Sequence, residues 1–169
     1  MPSIRNIAVG LPIRDGHVLV LNGVDTVKNE AFHRAIGGGI EFGETAETAL
    51  RREFVEELGV TLGPVTLLDV AENIFEYEGE PGHEIAHIFA VESSEIDAIP
   101  LDARLHVLDE GSAVRWVSIS ETDHPLLPGR CHTPPPLPGA HHLIAPGRSP
   151  HRLAVTTPGP AMRQPRRRP

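Results

Sequence analysis

The chain has 169 residues, 40% of them hydrophobic, which is enough for one domain with a sizeable core, too short for two comfortable ones and too apolar for wholesale disorder. Its single cysteine, Cys131, excludes an internal disulfide framework, and no apolar run in the sequence approaches the roughly 20 residues of a membrane-spanning helix. The net charge of −8 is divided: all 23 acidic residues fall in residues 1–125, which carry −15, whereas residues 126–169 hold seven Arg, no acid and +7. An acidic body argues against bulk nucleic acid as a partner and suits a site that gathers divalent cations. Residues 1–6 lead into alternating apolar residues without the apolar core or cleavage site of a signal peptide, so the expectation is a cytoplasmic protein without a membrane partner.

Residues 4–13 and 17–22 are expected to pair as strands: Ile7, Val9, Leu11 and Ile13 repeat at period two, and Asp15-Gly16 supplies the turn. A helix is expected over residues 45–58, with Thr45 as N-cap, Glu47 in the first turn and Gly59 closing the C-terminus. A β-rich stretch over 65–77 follows, then a loop at Glu78-Gly79-Glu80-Pro81-Gly82 and further strands over 85–91 and 113–117. Strands around one helix, without strict alternation, predict an α/β domain with a mixed sheet packed by helices. The composition changes near Pro125, since eleven of the 17 prolines lie beyond it. The expected organisation is a domain over 1–125 and a Pro/Arg-rich tail over 126–169, disordered and locally polyproline II.

The helix concentrates charge on one face. At 100° per residue Glu53, Glu56 and Glu57 fall within about 100° of arc, beside an apolar stripe of Leu50, Phe54 and Leu58. Like charges at these spacings repel, so the cluster points either to a compensating cation or to a solvated face partnered by Arg51 and Arg52. Upstream, Gly37-Gly38-Gly39 lets backbone approach a phosphate or a metal closely, and Glu41 and Glu44 bring two more carboxylates to the helix entrance. Mg²⁺ prefers oxygen ligands and bridges to substrate phosphates.

Gly38, five residues, Glu44, seven residues, then Arg52-Glu53-Phe54-Val55-Glu56-Glu57-Leu58-Gly59-Val60 resembles the Nudix box of the MutT-like hydrolases, in a bacterial subgroup of undefined substrate. The one departure is Phe54 at a position where the family pattern has an aliphatic residue. The resemblance spans about residues 4–120 and implies a Nudix-type α/β/α sandwich with one catalytic loop-helix. It implies hydrolysis of a nucleoside diphosphate linked to another moiety, by water with Mg²⁺ or Mn²⁺ bound. Carried over to this sequence, Glu53, Glu56 and Glu57 become metal ligands together with the Gly38 carbonyl. Arg52 then holds the carboxylates in position and Glu44 braces the loop–helix junction, with Glu56 also counted among the catalytic groups.

For the general base the resemblance leaves a box glutamate or a later carboxylate, with Glu84 the first later candidate, Glu41 another, and His83 and His87 weaker ones. Expected substrate contacts are Arg34 to phosphate, Gly37, Gly39 and Glu41 at the loop, and Phe75 and Tyr77 stacking a base from one strand face. The expected partner is a small nucleotide-type substrate: a nucleotide, a dinucleoside polyphosphate or a nucleotide sugar. A homodimer is left open. A Nudix-like regulator that binds without turnover is the alternative. An isopentenyl-diphosphate isomerase is a weaker one, because Cys131 lies in the proline-rich tail rather than in the core.

Overall fold

The computed structural model describes residues 3–108, 111–122 and 124–128. Strand β1 (Arg5–Arg14) turns through Asp15 and Gly16, at φ 50° and 72°, into β2 (His17–Asp25). Positive φ at both turn positions gives a connection whose twist matches that of the paired strands. Two strands that the sequence pattern did not announce follow, β3 (Glu30–Arg34) and β4 (Ile36–Gly39). Helix α1 (Ala46–Leu58) starts where expected: Thr45 Oγ1 accepts from the Thr48 N–H at 3.1 Å, and Gly59 ends the helix in the left-handed region at φ 68°.

β5 (Val65–Tyr77) and β6 (Glu80–Val91) form a long hairpin. Here the expected five-residue loop is corrected. Only Glu78 and Gly79 connect the strands, at φ 53° and 79°, so Glu84 lies inside β6 rather than at the start of a strand after a loop. The chain continues through α2 (Ser94–Asp97), β7 (Leu105–His106), β8 (Ala113–Ser118) and β9 (Leu126–Leu127). No helix among the described residues is long and apolar enough to cross a membrane.

The last strand lies immediately beyond residue 125. β9 runs parallel to β3, pairing Leu126 with His33 and Leu127 with Arg34. The His33 N–H donates to the Pro125 carbonyl at 2.8 Å and the Ala35 N–H to the Leu127 carbonyl at 2.9 Å. Two leucines in proline-rich sequence carry no periodicity; they become a strand by covering an edge. The rest of the expected tail, residues 129–169, falls outside the described residues.

The sheet is mixed, in the order β5-β6-β1-β2-β3-β9, with β4 on β1 and β8 on β2. β1 is shared by two leaves. It pairs parallel with β6 and antiparallel with β4, while its C-terminal end joins β2. Of the helical layers expected on the two sides, the described residues supply α1 and the single turn α2. The main core lies beneath α1, where Leu50 and Phe54 pack with Ala8, Leu19, Leu21, Phe89 and Trp116. Ile7, Val9, Ala35 and Ala86 form a second cluster on the other face of β1. A Cβ on Gly10 would lie 2.7 Å from the Phe54 ring, so the aromatic residue in the box fits because the strand beneath it has no side chain there.

Phe54 is fully buried, and Phe54→Ala is expected to cost about 3–5 kcal/mol of unfolding free energy. Urea denaturation of both proteins checks this; a loss below about 1 kcal/mol would show that the site collapses around the missing ring.

Candidate active site

The end of β4 and the outer face of α1 meet without intervening side chains. Gly37 has φ 132°, and a Cβ there would strike the Ala8 carbonyl. The Gly37 N–H donates to Glu57 Oε2 at 3.1 Å, a buried bond, and the Glu57 carbonyl accepts from the Leu108 N–H at 2.9 Å. A Cβ on Gly38 would fall 2.6–2.7 Å from the Glu53 carboxylate atoms. Glycine at 38 therefore leaves room for the Glu53 carboxylate, while glycine at 37 lets β4 lie close against β1 with its N–H directed to Glu57.

Arg52 ties this corner together. Its Nε and Nη2 donate to the two oxygens of Glu44, each at 3.1 Å. Nη2 also donates to the Gly39 carbonyl at 2.9 Å, and Nη1 to Glu53 at 2.8 Å and Glu56 at 3.0 Å. Such charge-assisted, bidentate contacts fix position as well as charge. The Arg52 guanidinium, with the Glu41 N–H adding a 3.1 Å bond, holds the Glu44 carboxyl below its ordinary value of 4.5. In return Glu44, then Glu53, raise the already high pKa of Arg52.

Glu53, Glu56, Glu57 and the backbone carbonyls are hard oxygen donors, the set that Mg²⁺ or Mn²⁺ takes, and the space a Cβ on Gly38 would fill holds the Glu53 carboxylate. Among the described residues no three His, Cys, Asp or Glu side chains are grouped to hold a metal ion, and Nη1 of Arg52 is bonded to both Glu53 and Glu56.

On the opposite face of β1 lies a cleft of about 300 Å³. Cross-strand register separates the two faces, because partners directly opposite point the same way. Gly38, Ala8 and His87 share the α1 side, whereas Arg5, Glu84 and Asn73 form a row on the cleft side. Phe32, Phe75 and Tyr77 supply the aromatic wall, with Phe32 edge-on to Tyr77 at 5.8 Å between centroids. The tip of the cleft is strapped: Glu78 accepts from the Thr26 N–H (2.7 Å) and hydroxyl (2.6 Å), and Lys28 donates to the Glu76 carbonyl at 2.6 Å. Asp25 is buried there, and the Lys28 N–H holds its carboxyl below the ordinary value against the opposing effect of burial.

Gly37, Gly38, Arg34, Phe75, Tyr77 and Glu84 line this cleft. Arg34 has no carboxylate partner among the described residues, whereas Lys28 is paired with Asp25 and Glu76 and Arg5 with Glu84. Gly39 contributes its carbonyl to Arg52, and Glu41 is exposed at the helix entrance. His83 pairs with Glu72 at 2.8 Å, and His87 Nδ1 lies 3.4 Å from the Ile7 carbonyl. Sequence reasoning missed Arg5, Lys28 and Asn73 as cleft residues. For Arg5 and Asn73 the signal is strand register to Glu84, which needs the topology first; for Lys28 there is no local signal.

A model of the NUDIX domain matches residues 4–133. Similar solved structures include a MutT NUDIX hydrolase from Burkholderia pseudomallei, 23% identical, aligned over 73% of this chain and 90% of that one with TM-score 0.54. A NUDIX hydrolase from Nitrosomonas europaea is 20% identical over 70% of this chain and 74% of that one, with TM-score 0.49. The first of these shows a common fold.

Because the Glu44 carboxyl is held below 4.5, its pairing with Arg52 contributes stability that is fully present above that value and lost as pH falls through the lower folded-state pKa. Glu44→Gln is therefore expected to melt below the wild type at pH 7, with the difference narrowing as pH drops below about 4.5. A difference independent of pH between 3 and 7 would contradict the ion-pair account.

Proposed function

The chain belongs to the NUDIX domain family and is a Nudix pyrophosphohydrolase, and from that premise we propose that it hydrolyses a diphosphate linkage in a nucleoside diphosphate joined to another moiety, with Mg²⁺ or Mn²⁺ bound. The observation that carries this reading is the side-chain-free edge at Gly37 and Gly38. It borders the cleft on one side and receives Glu53 and Glu57 on the other. A substrate lying in the cleft thus places its phosphates at the edge where the carboxylates converge.

In this reading Glu53, Glu56, Glu57 and the Gly38 carbonyl hold the cation. Bound there, it neutralises phosphate charge and lowers the pKa of water. Arg34, the cleft cation without a carboxylate partner among the described residues, engages the phosphates. Arg52 keeps Glu44, Glu53 and Glu56 in place despite their mutual repulsion. Glu56, the most exposed of the three helix carboxylates at 53% of its side chain, is the group placed to accept a proton from attacking water. Glu41 supports the helix entrance through its N–H to Glu44. Phe75 and Tyr77 stack the base, which acts mainly on ground-state binding. A cytoplasmic location fits such a substrate.

The test is chromatographic detection of the two phosphate-bearing products after incubation with Mg²⁺, over nucleoside triphosphates, nucleotide sugars, ADP-ribose and dinucleoside polyphosphates. Glu57→Gln is expected to lower kcat by more than about a hundredfold with the melting temperature little changed, since loss of a direct ligand exceeds the loss of a supporting contact. Near-wild-type turnover of that variant at saturating Mg²⁺ would remove the assignment, and binding without turnover across the panel would favour a regulator.

A further inference from the structure

Glu84 lines the cleft with acceptor capacity to spare. Its side chain is 14% exposed, yet among the described residues its single polar partner is Arg5, whose Nη1 stands 3.4 Å from Oε1 and whose own side chain is 62% exposed. A carboxylate offers about four acceptor sites, which water or a ligand fills where the protein does not. Glu84 lines the cleft, and its ion pair with Arg5 is made through Oε1 alone.

Its surroundings define what would complete it. Phe75 pairs with Gly82, two positions before Glu84 on the same face of β6, and a Cβ on Gly82 would run into the Phe75 ring. The ring therefore lies across β6 at Gly82, two positions before Glu84 on the same face. The cleft floor thus offers a flat aromatic platform next to an acceptor-only group. Such a floor repels phosphate, which is directed toward Arg34 and the glycine edge. It accepts a planar group that stacks on Phe75 and presents N–H donors at its rim. Guanine carries two adjacent donors, the ring N1–H and the exocyclic 2-amino group, spaced for the two oxygens of one carboxylate. Adenine sets its amino group beside an acceptor nitrogen, and cytosine, uracil and thymine likewise place acceptors next to their donors.

We propose that Glu84 is the specificity-determining residue of the cleft and that the substrate is a guanine nucleotide, its base stacked on Phe75 with N1–H and the 2-amino group donating to Glu84. This rests on the hydrolase reading above and adds the identity of the base. It assigns Glu84 to recognition rather than to the proton transfer expected from the sequence, in keeping with its place on the face of β1 away from α1.

Calorimetric binding of GMP, IMP and AMP tests it, because none of the three contains a diphosphate to hydrolyse and IMP differs from GMP only in lacking the 2-amino group. The full-length protein is expected to bind GMP about tenfold more tightly than IMP or AMP. Glu84→Gln is expected to bring GMP to the IMP level with an unchanged melting temperature. Equal affinities in the wild type, a GMP preference retained in the variant, or no binding of any of the three would overturn the proposal. So would a uniform fall in kcat for all nucleotides with GMP binding intact, which would make Glu84 a base. Turnover is scored separately with Mg²⁺. A GMP preference without any turnover would remove the hydrolase reading alone, whereas equal turnover of guanine, hypoxanthine and adenine nucleotides would remove this one alone.

Discussion

One guanidinium holds the functional corner of the molecule. Arg52 sits among Glu44, Glu53 and Glu56 and also bonds the Gly39 carbonyl. Carboxylates gathered this closely on and before one helix would otherwise repel one another. A lysine could neutralise charge there, but its ammonium has three donors on a single nitrogen and cannot fork across Glu44 while reaching a carbonyl and two further carboxylates. Because its partners lie on β4, on the following loop and on α1, Arg52 sets the strand end, the helix entrance and the carboxylate positions at once. In the proposed reading, cation binding and substrate placement depend on that geometry.

The second constraint is the division of labour between the two faces of β1. Alternation sends Ala8 and Gly10 toward α1, where Gly10 makes room for Phe54, and sends Arg5, Ile7 and Val9 into the cleft. In the proposed reading, chemistry and recognition therefore occupy opposite sides of one strand. They meet only where β4 has no side chains, so the glycines at 37 and 38 are needed twice, once for the approach of Glu53 and Glu57 and once as the rim of the cleft.

Much of this was legible in the sequence because it is local. The cap at Thr45, the left-handed Gly59, the turn at Asp15-Gly16 and the limits of β5 follow from short-range rules, and the box spacing marked the family before any coordinates. What escaped was non-local. β3, β4 and β9 are short and weakly patterned, and they exist because other strands pair with them. The five-residue loop expected at 78–82 failed because Pro81 and Gly82 read as breakers, whereas in the sheet Gly82 lies under the Phe75 ring. That loop reading placed Glu84 at a strand entrance. The register instead put it in a row with Arg5 and Asn73 on the cleft face, which no spacing within the sequence could reveal.

The central claim is that water attacks phosphorus at the edge between β4 and α1, with the helix carboxylates holding a divalent cation. Turnover of the nucleotide panel in ¹⁸O-labelled water, with Mg²⁺ and with a chelator, tests it most directly when the products are weighed by mass spectrometry. The account predicts cleavage only with the cation present and a single ¹⁸O atom in one of the two phosphate-bearing products. Cleavage indifferent to the chelator, label in neither phosphate group, or no cleavage of any member of the panel would contradict it.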